Sequence, residues 1–130
     1  MRKEHQYVHK YKNFVETIYR DIAKIYGNHL RRVILYGSYA RGDYTKDSDI
    51  DIMILLDMSD MDIKQYRHDL SGETFEFNMD HDLDIKPIAK SEIHFQKWVD
   101  VYPFCTNVMK EGVKFFWKQP NFLHCNKKTK

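Results

Sequence analysis

The chain is short of several things at once. Only two of its 130 residues are cysteine, Cys105 and Cys125, and they form no CxxC or other ligand spacing. That argues against a cysteine metal site and against a disulfide scaffold; free thiols in a reducing cytoplasm are the expectation. The longest apolar runs, Val33 to Tyr36 and Ile50 to Leu56, are far below the ~20 residues that cross a bilayer. The opening MRKEHQYVHKYK has no apolar core of a secretory signal, so no membrane partner is expected. Charge of one sign is also missing. The formal net charge is +2, which leaves a nucleic-acid partner open. No internal repeat, low-complexity segment or interdomain linker interrupts the chain.

What is present is a globular composition. Hydrophobic residues make up 42% and aromatics 15%, enough for one domain with a real core. Tyr7, Val8, Tyr11, Phe14, Val15, Ile18, Ile22, Ile25 and Tyr26 recur at helical spacing and predict a helix over 5–30, stopped by Gly27 and Asn28. A buried strand is expected over 32–36 and a second over 49–56. A helix capped by Ser59 is expected over 60–79, weakened or broken in two at Ser71-Gly72, with Ile63, Tyr66, Leu70, Phe75 and Phe77 as its apolar contribution. A short third strand is read in 82–86, ended by Pro87 or placed by it on a sheet edge. Ser91 caps a further helix with Ile93, Phe95, Trp98 and Val99 inward, interrupted at Pro103. Gly112 ends that part, and 113–117 can form a last strand. The expected fold class is α+β: a small mixed sheet with helices packed mainly on one face. The domain is expected over 1–117, followed by a tail, 118–130.

Two carboxylates on a core strand demand an explanation. In DIDIMILL, Asp49 and Asp51 share a face with Met53 and Leu55, while Ile50, Ile52, Ile54 and Leu56 take the other. Side by side the two anions repel, and burial worsens the conflict. A divalent cation removes it, and Mg²⁺ is suited by hard oxygen ligands shared with water and phosphate. Asp82 and Asp84 supply candidates for a third carboxylate, Asp84 being preferred because it lies between Leu83 and Ile85. Three such groups would allow two ions roughly 4 Å apart, the arrangement of in-line phosphoryl chemistry. Gly37-Ser38, straight after the first strand, lets a phosphate approach backbone N–H groups and a hydroxyl. Arg41 lies in the same loop and could bind phosphate or pair with Asp43 or Asp47. The bland readings are a solvated acidic strand end, a serine helix cap and a structural arginine. His5 and His9, four apart, are read as a solvated helix face.

Gly37-Ser38, ten residues, then Asp49-Ile-Asp51 resembles the signature of the DNA polymerase β-like nucleotidyltransferase superfamily. The fuller string GSYARG…SDIDIMILL resembles its minimal nucleotidyltransferases, the MNT family. Asp82-Leu-Asp-Ile is similar to that family's third-carboxylate strand, and Tyr102-Pro-Phe, Asn107-Val and Glu111-Gly-Val to its C-terminal end. The resemblance implies Asp49, Asp51 and Asp84 as catalytic, metal-holding groups, Gly37, Ser38 and Arg41 as the nucleotide site, two Mg²⁺ ions, and ATP as donor.

The resemblance also implies a partner. Such proteins are typically paired with a helical HEPN-type toxin, and transfer of AMP to a tyrosine hydroxyl of that toxin is the implied antitoxin activity. Few residues follow the last expected strand, so a deep acceptor pocket is not expected within this chain. Two alternatives stand beside it: a degenerate module that neutralises its partner by contact, and a transferase acting alone on a small hydroxyl compound.

Overall fold

The computed structural model describes residues 12–117. His5, His9, Cys125 and the tail 118–130 lie outside the described residues, as does the first part of the predicted N-terminal helix. Helix α1 (Lys12–Tyr26) stops at a single 3₁₀ turn, Gly27–His29. Gly27 has a φ of +59, so the predicted glycine stop is where the chain turns.

Strand β1 (Leu30–Tyr36) leads into a one-turn helix, α2 (Ser38–Arg41), and strand β2 (Ile50–Leu56) follows. Two helices come next, α3 (Asp60–Lys64) and α4 (Arg67–His81). Strand β3 (Ile85–Ser91), helices α5 (Glu92–Trp98) and α6 (Pro103–Glu111), and strand β4 (Val113–Trp117) complete the described fold. The sheet has four strands in the order β3-β2-β1-β4. β1 runs antiparallel to β2 and β4, whereas β2 and β3 are parallel. The fold is therefore α+β around a small mixed sheet, as expected.

Strand alternation sorts the core onto two faces. Val33, Leu35, Ile50, Ile52, Ile54, Leu56 and Ile85 pack with Ile18, Ile22 and Tyr26 of α1, Ile63 of α3 and Phe77 of α4 in the larger cluster. On the opposite face Ile34, Tyr36, Met53 and Leu55 meet Phe95 of α5 and Val108 of α6 in the smaller one. Asp51 shares this second face.

Several local expectations shift. The predicted break at Ser71-Gly72 falls instead between α3 and α4; Gly72 sits inside α4, and a Cβ there would meet nothing within 4 Å. Interior glycine costs about 1 kcal/mol, which the burial of Phe77 outweighs. Tyr66 occupies the break, and its ring packs 5.3 Å from that of Tyr26. Phe75 and Ile93, expected inward, are 66% and 78% exposed. The third strand begins later than expected, at Ile85, and runs through Pro87. β3 is an edge strand, where a missing N–H is tolerated. Ser59 and Ser91 do cap their helices, accepting from the N–H groups of Asp62 and His94.

Candidate active site

The site forms where β1 ends and β2 begins. Gly37 follows Tyr36 with φ +78 and ψ −155, a region that only glycine occupies without strain. The Gly37 carbonyl then accepts from the N–H groups of Ala40 and Arg41 at 3.1 and 3.0 Å, closing α2. Ser38 is thus the first residue of the turn and Gly37 its cap; no side chain caps it. A Cβ on Gly37 would collide with Oδ2 of Asp51. The glycine is needed twice, for its backbone conformation and for the approach of a carboxylate.

A small hydrogen-bonded turn delivers the acidic pair. Thr45 N–H donates to Ser48 Oγ at 2.9 Å, and Ser48 N–H to the Thr45 carbonyl at 3.1 Å. Asp49 and Ile50 follow directly, and Ile50 N–H donates to the Asp84 carbonyl at 2.9 Å. That bond, with the parallel register of Ile50 on Ile85 and Asp51 on Lys86, sets Asp84 beside Asp49 at the mouth of the sheet. Asp82 is different: it ends α4 with a φ of +53, an αL position that aspartate tolerates.

Electrostatics follow from this crowding. Burial pushes the Asp51 carboxyl above the usual carboxylate range, and the neighbouring Asp49 charge pushes the same way. Arg41 and Lys86 oppose the shift. Tyr36, the register partner of Asp51, is pushed up to about 12 by burial and by the Asp51 charge.

The three carboxylates are not gathered equally. Asp49 and Asp51 interact directly, but Asp84 Oδ1 lies 3.7 Å from Lys86 Nζ in an exposed ion pair. Among the described residues no three His, Cys, Asp or Glu side chains are grouped closely enough to hold a metal ion. The expected three-carboxylate arrangement for two ions is therefore not formed; the donor set that fits a metal is the pair Asp49 and Asp51, hard oxygens that are partly buried and mutually repelling, which leaves further ligands to water and phosphate. Arg41 spans Asp43 (Nε to Oδ2, 3.3 Å) and Glu111 (Nη1 to Oε1, 3.5 Å). One of its two expected ion-pair partners is present, and α6 supplies another.

A nucleotidyltransferase domain model matches residues 15–119. This chain belongs to the nucleotidyltransferase domain family. Two proteins of Methanocaldococcus jannaschii are similar to it. One, "Putative protein adenylyltransferase MJ0604", is 40% identical over 87 residues, 67% of this chain and 79% of that protein. The other, "Putative protein adenylyltransferase MJ0141", is 35% identical over 86 residues, 66% of this chain and 85% of that protein. No solved structure matches the chain. Among the described residues, no helix is long and apolar enough to cross a membrane.

One charged residue beyond the predicted set stands beside these carboxylates. Lys86 stands in register with Asp51 and pairs with Asp84. Its signal was in the sequence: two positions after Asp84, it must share that residue's sheet face.

Proposed function

We propose that this nucleotidyltransferase moves AMP from ATP, with Mg²⁺, to a hydroxyl on a protein, and that the acceptor is a tyrosine of a HEPN-type toxin silenced by the modification. The observation that carries the reading is the pairing of Asp49 and Asp51 beside the Gly37 turn. Both relatives described above carry the name "Putative protein adenylyltransferase", which supports a protein as acceptor.

The chain's own residues divide the task. The Gly37-Ser38 turn gives the triphosphate backbone N–H groups and a hydroxyl at the start of α2. Asp49 and Asp51 would hold a cation that draws negative charge off the phosphates. Arg41 turns from its exposed partners, Asp43 and Glu111, toward those phosphates. Asp84, on the far side of Asp49 from the turn, faces the incoming hydroxyl once it leaves Lys86. In the transfer the acceptor oxygen bonds to the α-phosphorus, the bond from that phosphorus to the bridging oxygen breaks, and pyrophosphate leaves. The hydroxyl proton passes to solvent through the Asp84 side of the site. Alignment and charge stabilisation supply most of the acceleration.

The test is incubation with ATP labelled at the α-phosphate, Mg²⁺ and a HEPN-type protein encoded beside this one. Label on a tyrosine of that protein, lost in Asp49→Asn, is the expected result. Label that moves only to small hydroxyl compounds overturns the protein acceptor.

A further inference from the structure

The second sheet face does not end at the carboxylates. Along β2 and β3 the register pairs run Asp51 with Lys86, Met53 with Ile88, and Leu55 with Lys90. Successive pairs on one face are about 7 Å apart. The acidic site thus passes within one step into an apolar groove of about 730 Å³. Met53 and the buried Phe95 line it, with Ile88 of β3, Trp98 of α5 and Phe104 of α6. On its β1 side the Phe104 ring packs edge-on to Tyr36, the register partner of Asp51, with centroids 5.7 Å apart.

We propose that this groove seats the acceptor protein, taking an apolar segment flanked by acidic residues and thereby bringing the acceptor hydroxyl to Asp84. The inference rests on the transferase reading above and adds where the acceptor binds.

Three observations favour this occupant. Ile88, Tyr102 and Phe104 are 36%, 52% and 48% exposed, more contiguous apolar surface than a solvated wall requires. Ile88 and Lys90 put one wall of the groove on β3, two strands across the sheet from β1 and the Gly37-Ser38 turn that suits phosphate. The rim is cationic: Lys90 lines the groove and Lys97 stands 6.0 Å from the Trp98 ring centroid. Asp60 lies against both His94, at 2.6 Å, and the Lys90 charge. One carboxylate thus stands against Lys90, with Lys97 beside Trp98, and an acidic flank on the partner meets that positive edge.

The test uses two fluorescein-labelled helical peptides, each with a tyrosine and with leucine and phenylalanine anchors four apart, one flanked by glutamates and the other by lysines. Anisotropy gives their affinities for the full chain. The glutamate peptide is expected to bind at least about tenfold tighter. The double variant Lys90→Glu/Lys97→Glu is expected to invert that preference, an outcome that misfolding does not imitate. Ile88→Glu is expected to weaken both peptides about tenfold, with Mg·ATP affinity unchanged. Equal affinity for the two peptides, no binding of either, or no inversion overturns the proposal. So does a dimer that Ile88→Glu converts to monomer, since a second copy would then fill the groove. Loss of Mg·ATP binding in the wild-type chain would instead strike the transferase reading, and the peptide result would stand apart from it.

Discussion

Gly37 lies so close to Asp51 that the carboxylate occupies the space a methyl group on the glycine would need. The turn that suits phosphate and the carboxylate that suits a cation are thus built against each other. Gly37→Ala forces a Cβ into that carboxylate and into a backbone region unfavourable to any L side chain. It is expected to lose about 1–3 kcal/mol of stability and to bind Mg·ATP more weakly. Denaturant melts and calorimetric titration check the two effects separately.

Asp51 carries an unfavourable charge in the folded protein. Its carboxyl is raised by burial and then by Asp49, so the folded state holds the proton more tightly than the unfolded one. The associated stability is present below the ordinary aspartate pKa and is lost as pH rises through the raised folded value. At neutral pH, Asp51→Asn is therefore expected to raise Tm by roughly a few degrees while abolishing transfer. Mg²⁺ should raise the Tm of the wild type and leave the variant unmoved. A fall in Tm for Asp51→Asn would show that the site is not electrostatically strained.

Two tyrosines set an alkaline limit. Tyr26 is pushed up to about 12 by burial, then by Asp69 and Tyr66, and Tyr36 to about 12 by burial, then by Asp51. In the unfolded chain both ionise near the ordinary value of about 10. Their stability contribution is intact below that value and disappears as pH climbs from about 10 through about 12. Tyrosinate absorbance should show late-titrating groups, Tyr26 and Tyr36 among them, that appear together with unfolding. Titration of every tyrosine near the ordinary value, with the fold intact, would contradict their burial.

Glu92 joins the end of β3 to β1. Its carboxylate lies 3.3 Å from Arg31 Nε and 2.9 Å from Arg32 Nε, with all three side chains 10–15% exposed. Glu92→Gln leaves two adjacent guanidinium groups without their anion and is expected to cost about 3 kcal/mol. Urea unfolding reads this directly; a cost near zero would show that solvent already screens the pair.

The site was more legible in the sequence than the elements around it. The spacing of Asp49 and Asp51 two apart at the start of DIDIMILL set which face they take, and Gly37 announced a turn that only glycine could make. β3 was harder. IKPIAKS has weak alternation and a proline, and its extent is set by pairing with β2 rather than by its own residues. The break near Tyr66 follows from packing on Tyr26, a contact between segments far apart in the chain. The outward placement of Phe75 could not be read from periodicity, because α4 carries apolar residues on two sides; α5, seven residues long, is too short for periodicity to place Ile93. The ion pair of Asp84 with Lys86 was implied by the alternation, although which of its two neighbours the carboxylate would meet depends on side-chain torsions.

Calorimetric titration of Mg²⁺ with a non-hydrolysable ATP analogue tests the central claim most directly, because it needs no acceptor. The wild type should bind the analogue only when Mg²⁺ is present. Asp49→Asn/Asp51→Asn should lose at least about tenfold in affinity, and Asp82→Asn should bind as the wild type does. Binding that persists in the double variant, or that needs no divalent cation, would contradict the assignment of this pair as the nucleotide's metal site.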